Sequence, residues 1–162
     1  MNYLLDANVF MSAKRSHYGF DFCPGFWDWM VQKNTEGIIF SIEKVYDEIS
    51  VGEDDLSLWA KKREDGFFLV PTQNVLREFE KVSNELYAKQ YKQSAINDFL
   101  QRADYYLIAH ALADNYTIVT YEVPSGSLKR IKIPDVCITL GISCITPHQM
   151  LRREKACFVL KI

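Results

Sequence analysis

The chain has 162 residues, enough to bury a core without disulfide or metal staples. Apolar residues make up 48% and aromatic residues 14%, which excludes a disordered chain. A formal net charge of -2 excludes a globally cationic nucleic-acid binder, so any polyanion contact has to be local.

In chain order, the apolar triplet Tyr3 to Leu5 predicts a short strand that ends on Asp6, and Ala7 to Ala13 predicts a helix. Pro24 suits the first turn of an aromatic helix, PGFWDWMVQK. Gly37 leads into a second strand, IIFS, whose Ser41 is placed to cap a helix over Ile42 to Ser50. A helix DDLSLWAKKRED begins at Asp54 or Asp55, and FFLV before Pro71 reads as a third strand. Helices follow over Thr72 to Lys89, Ser94 to Leu100 and Asp104 to Asn115. Thr117 to Thr120 is a fourth strand, Pro134 to Leu140 a helix, Ser143 to Thr146 a fifth strand, and Pro147 opens the terminal helix. Short apolar strands alternating with helices predict a parallel α/β sheet.

No linker, internal repeat or low-complexity tract divides the chain, so one domain is expected over residues 1–162. Cys23, Cys137, Cys144 and Cys157 form no C-x-x-C pair, and reduced thiols in a cytoplasmic protein are expected. No basic segment followed by a long apolar run opens the chain, and no apolar run reaches the ~20 residues of a membrane span.

Four carboxylates carry the candidate chemistry. Asp6 directly follows the first strand and Glu122 lies two residues past the fourth, so both fall at the carboxyl edge of a parallel sheet, where such folds bind ligands. On the helix after Arg102, Leu107, Ile108, Ala111 and Leu112 all fall within about 80° of Asp104. Asp104 therefore heads the apolar stripe and points inward at the same edge. Glu48 flanks the stripe of Ile42, Val45, Tyr46 and Ile49 and is the acid of its helix best placed to reach inward. Each acid alone has a plainer reading: Asp6 and Asp104 as helix caps, Glu122 as a loop acid, Glu48 as a solvated residue. Together, unpartnered, they would repel, and a divalent cation would relieve that repulsion. His17, His110 and His148 lie in separate contexts, and no glycine-rich phosphate loop competes.

These pieces, in this order, resemble a PIN-domain ribonuclease of the VapC-toxin-like kind. YLLDANVF is similar to the family's opening strand with its metal-binding aspartate, and VYDEI to the segment bearing the second acid. ADYYLIAHALADNYTIVT is similar to the acid-headed helix and following strand, and TYE stands where the family has Thr-x-Asp. The aromatic helical insertion at about 17–35 and the IKIPDVC segment resemble a PIN-like subfamily, with a C-terminal helix and tail at about 147–162.

The resemblance implies a three-layer α/β sandwich with a mostly parallel twisted sheet of about five strands. It implies a site of Asp6, Glu48, Asp104 and Glu122 holding Mg²⁺ or Mn²⁺, with Asn8 and Thr120 as polar neighbours. Glu122 departs from the usual aspartate, which leaves direct ligation and a role through water both open. The implied activity is hydrolysis of RNA phosphodiester bonds by metal-activated water. An antitoxin partner and homodimerisation are implied as well.

Lys129, Arg130 and Lys132 follow the loop bearing Glu122 and are the preferred phosphate contacts among several charge runs. Phe20, Phe22, Phe26, Trp27 and Trp29 are read as core or a partner groove before base stacking. A haloacid-dehalogenase-type phosphatase would need an acid where Asn8 stands, and the adjacent acids of a receiver domain are missing. A PIN-like binding module without turnover is the competing reading.

Overall fold

A computed structural model describes residues 1–160 of the protein. Five strands form one sheet: β1 (Tyr3–Leu5), β2 (Ile39–Ile42), β3 (Phe68–Leu69), β4 (Thr117–Val119) and β5 (Cys144–Ile145). Their order is β3-β2-β1-β4-β5, and every neighbouring pair is parallel. The expected α/β architecture is therefore present, with the sheet wholly rather than mostly parallel. Tyr3, Leu4 and Leu5 of the central strand are all buried, as are Ile118 and Val119 of β4. Continuous burial along a strand requires cover on both faces, and the helices supply it.

The helices are α1 (Ala7–Ser12), α2 (Pro24–Thr35), α3 (Glu43–Ile49), α4 (Asp55–Lys61), α5 (Glu64–Phe67), α6 (Gln73–Ala88), α7 (Gln93–Phe99), α8 (Ala103–Asp114), α9 (Ile133–Leu140) and α10 (Pro147–Arg153). α6, α8 and α9 pack on one another, and α1 packs on α3. The last two residues of the tail expected over 147–162 lie outside the described residues.

Several local expectations are corrected. Ser41 is a β2 residue and caps nothing: it is paired with Phe68 in the sheet, and its buried hydroxyl donates to the Leu5 carbonyl at 2.6 Å. The N-cap of α3 is Ile42. The first helix does not stop at Ala13 but runs on as a π-helical turn over Ala13–His17. The helix expected over residues 54–65 ends at Lys61, and Gly66, at φ 86°, bends the chain into β3. Asp54 does cap α4, accepting from the Ser57 N–H at 2.8 Å.

The aromatic insertion is mostly core. Phe26 and Trp27 are buried, and Trp27 packs edge-on against Trp59, itself beside Phe10 and Phe67. Phe20 stacks on Trp27 at 3.9 Å and Tyr18 on Phe26 at 4.2 Å; only Phe22 of the five aromatic candidates is fully exposed. A base-stacking role for Phe26 and Trp27 is thereby excluded.

Candidate metal centre

The chain builds outward from β1 to β2 and β3, then returns to place β4 on the other side of β1. The crevice beyond the carboxyl ends of β1 and β4 is thus the switch point of the sheet, where loops diverge and ligands are accommodated. Asp6 and Thr120 are the residues directly beyond those two ends. The Asp6 N–H donates to the Val119 carbonyl at 3.0 Å, and the Thr120 N–H to the Ile145 carbonyl at 3.0 Å, so both are held by continuations of the ladder.

Asp6 stands at the N-cap of α1, yet its side chain makes no cap hydrogen bond. The Thr120 hydroxyl instead donates to Asp6 Oδ2 at 2.7 Å. Thr120 Oγ1 accepts from Asn8 Nδ2 at 3.0 Å and from the Glu122 N–H at 3.1 Å, while Asn8 Oδ1 accepts from the Tyr121 N–H at 3.2 Å. Asn8 and Thr120 therefore lock the loop after β4 to the start of α1 and orient the Asp6 carboxylate.

Asp104 is the second residue of α8, and Arg102 holds the N-cap position without a side-chain cap bond. Asp6 and Asp104 are each only 6% exposed. Burial pushes the Asp6 carboxyl up to about 7, helped by the charges of Asp104 and Glu122 and opposed by the Thr120 hydroxyl. Burial likewise raises Asp104 to about 6; Arg102 opposes the rise, and Glu122 and Glu48 add to it. Asp6, Asp104 and Glu122 thus share one electrostatic site.

Glu122 is already engaged. Its Oε2 accepts the Ile133 N–H at 2.8 Å, satisfying a free donor at the start of α9, and its Oε1 lies 3.2 Å from Lys132 Nζ. Glu48 lies further out. It is solvent-exposed in a cleft with Lys14, Arg15 and Asp54, although partial desolvation still raises its carboxyl and Arg102 draws it down. Asp6, Asp104 and Glu122 act on one another electrostatically, and Glu48, whose charge also acts on Asp104, joins them from a more exposed position beside Arg102 and the Ala103 N–H.

Two of the acids have cationic partners. Arg102 Nη2 lies 2.6 Å from Asp104 Oδ2 and 4.0 Å from Glu122 Oε1, and Lys132 pairs with the same Glu122 oxygen at 3.2 Å. Asp104 Oδ2 nonetheless has no aligned hydrogen bond. The guanidinium compensates its charge without satisfying its lone pairs. Among the described residues, no group of three or more His, Cys, Asp or Glu side chains is arranged to hold a metal ion. Two inward carboxylates with an orphaned buried oxygen still fit Mg²⁺ or Mn²⁺, since Mg²⁺ is commonly held by one or two carboxylates plus water and substrate oxygens.

The family described as "Domain of unknown function (DUF4411)" matches residues 3–158. The chain belongs to the DUF4411 family. No curated protein matches it. Among solved structures, this DUF4411 chain is similar to the crystal structure of VapBC2 from Rickettsia felis bound to a DNA fragment from their promoter. The TM-score is 0.55 at 13% identity, covering 90% of the DUF4411 chain and 98% of the other. A likeness at that identity is one of fold, and it agrees with the PIN-like architecture expected from the sequence.

Two features of the DUF4411 site escaped the sequence. Arg102 is one; its signal was a cation at a helix N-cap, where the helix dipole disfavours positive charge unless acids surround it. The other is a ring cluster at the rim. His17 and His148 do not lie in separate contexts: they stand 5.8 Å apart, and each packs on Tyr121, at 5.4 and 5.8 Å. The π-helical extension of α1 carries His17 there, and no periodicity foretold it. His110 is buried on α8, and burial depresses its imidazole to about 4.

Of the three phosphate candidates, Lys132 is committed to Glu122. Lys129 and Arg130 are exposed and, with Ser94, Asp98, Phe99 and Arg102, line a cleft of about 470 Å³.

Proposed function

We propose that this protein is a Mg²⁺- or Mn²⁺-dependent endoribonuclease that hydrolyses RNA phosphodiester bonds. The carrying observation is the pair Asp6 and Asp104: two buried carboxylates at the sheet's switch point, neither used as a helix cap, one with an orphaned oxygen. Burying two such groups costs free energy that the fold does not recover by itself. A bound divalent ion would supply the Lewis acidity that activates water and steadies the leaving oxygen.

The chain's own residues set up the rest. Thr120 and Asn8 hold the Asp6 carboxylate in one orientation. Glu122, fixed by Ile133 and Lys132, adds negative charge from outside the ligand pair, and Glu48 does so from the rim. Lys129 and Arg130 offer cations to an RNA backbone on one side of the site, and the Tyr121 and histidine rings offer a face on which a base can stack.

The fold likeness to a VapBC complex supports a further reading of the protein as the toxin of a toxin–antitoxin pair, with an antitoxin partner and a homodimer as its assembly. A small partner that co-purifies with the natively expressed protein and suppresses its activity is the expected finding. The alternative, a PIN-like module that binds metal or nucleic acid without turnover, is favoured by Arg102 and Lys132, which already offset much of the acidic charge.

Cleavage of single-stranded and structured RNA with Mn²⁺, alongside Asp6→Asn and Asp104→Asn, separates the two. Activity that disappears in both variants supports the nuclease. Undiminished activity in either variant sinks the site. Mn²⁺-dependent thermal stabilisation without cleavage of any RNA leaves the binding module.

A further inference from the structure

Arg102 faces two ways. On one side its Nη2 lies between Asp104 and Glu122. On the other it lines the cleft that Lys129 and Arg130 flank, with its Nη1 3.9 Å from the exposed Asp98. The side chain is about one-third exposed, so the guanidinium forms the wall between the acidic site and the basic cleft.

Its hold on Asp104 is imperfect. The ion-pair distance is short, yet Asp104 Oδ2, almost fully buried, has no aligned donor. Charge is compensated while coordination is left open. A cation with stricter demands on oxygen geometry can take that oxygen, and the guanidinium then has a second place to go, because Asp98 and the cleft lie at its other edge.

We propose that Arg102 is the resident counter-cation of the metal-free site, that a divalent ion must displace it from Asp104, and that the released guanidinium then joins Lys129 and Arg130 as a contact for a nucleic-acid phosphate. This rests on Asp6 and Asp104 holding the metal, as proposed above. Arg102 is thereby a positioning residue that couples two ligands. Linkage makes the coupling reciprocal: metal raises affinity for the polyanion, and the polyanion raises affinity for metal. Arg suits the role because its planar fork is always charged and fits both carboxylate and phosphate.

The test is Mn²⁺ titration calorimetry on the wild type, Arg102→Gln and Arg102→Lys, with metal-free melts confirming that each is folded. Removing the competing ion pair predicts Mn²⁺ binding tighter by about tenfold in Arg102→Gln, with Arg102→Lys in between. Affinity of a short fluorescein-labelled single-stranded DNA is read by anisotropy in parallel. Arg102→Gln is expected to bind it about twofold more weakly than the wild type without metal, since the side chain lines the cleft in either state, and about tenfold more weakly at saturating Mn²⁺. Equal or weaker Mn²⁺ affinity in Arg102→Gln, with the wild type binding metal, overturns the role of Arg102 and leaves the metal site standing. An equal loss of DNA affinity with and without metal overturns the release step. Absence of Mn²⁺ binding in all three proteins overturns this proposal and the metal reading together.

Discussion

At the scale of single residues, Asp6 sets the energetics. Its folded carboxyl titrates at about 7, against roughly 4 for an aspartate in an unfolded chain. The folded state therefore binds more protons, and stability falls as pH rises. The contribution is fully present below about pH 4 and is lost as pH climbs through about 7, on the order of 4 kcal/mol in the metal-free protein. Asp6→Asn removes that cost. It is expected to raise the metal-free Tm by several degrees at pH 8 and to change it little at pH 4, read by calorimetric melts. In the wild type, stabilisation by Mn²⁺ should grow over the same pH window, because binding must expel the protons.

Thr120 is the second residue that matters singly. Thr120→Val keeps the shape but strands the Asn8 amide and the Glu122 N–H and removes the donor to Asp6. A loss of about 1–3 kcal/mol in denaturant unfolding is expected, with Thr120→Ser recovering most of it. Asp6 and Asp104 were legible in the sequence because each follows or heads an apolar run. Arg102 was hidden, since a cation ahead of a helix reads as surface until the opposing acids are placed in space.

At the scale of elements, strands and helices were legible where pattern and punctuation agreed. The apolar run of β1 and the β-branched run of β4 read directly, and so did the start of α10 at Pro147, whereas the capping box of Thr146 and Gln149 that fixes it went unread. Ser41 misled because a serine before a helix pattern looks like a cap, whereas pairing in the sheet fixes its backbone and a buried carbonyl takes its hydroxyl. The π-helical turn after α1 left no mark in the sequence, yet it brings His17 to the site.

α9 is the element that couples stability to the site, because its first N–H anchors Glu122. Gly141 ends this helix at φ 69°, where a Cβ is strained. Gly141→Ala is expected to cost about 1 kcal/mol in unfolding experiments. Lys132→Met tests the other end of the anchor. It leaves Glu122 with less compensation, and Mn²⁺ affinity is expected to rise modestly in calorimetry; a fall would show that Lys132 supports the metal instead.

At the scale of the whole molecule, strand order decides where the candidate site lies. Placing β4 beside β1 and opposite β2 opens the crevice that Asp6 and Asp104 enter. The alternation of strands and helices made the parallel sheet legible, but no residue states that the chain reverses direction after β3. That reversal also explains why Asp6, Asp104 and Glu122 share one edge, which Glu48, on the helix after β2, reaches from a more exposed position beside Arg102.

The central claim is that this sheet edge cuts RNA with a metal. Incubating total RNA with the purified protein and mapping new ends tests it most directly. Discrete new ends that form with Mn²⁺, vanish with chelator and vanish in Asp104→Asn are the predicted result. RNA left intact by a protein that binds Mn²⁺, or cleavage that survives both chelator and Asp104→Asn, would contradict it.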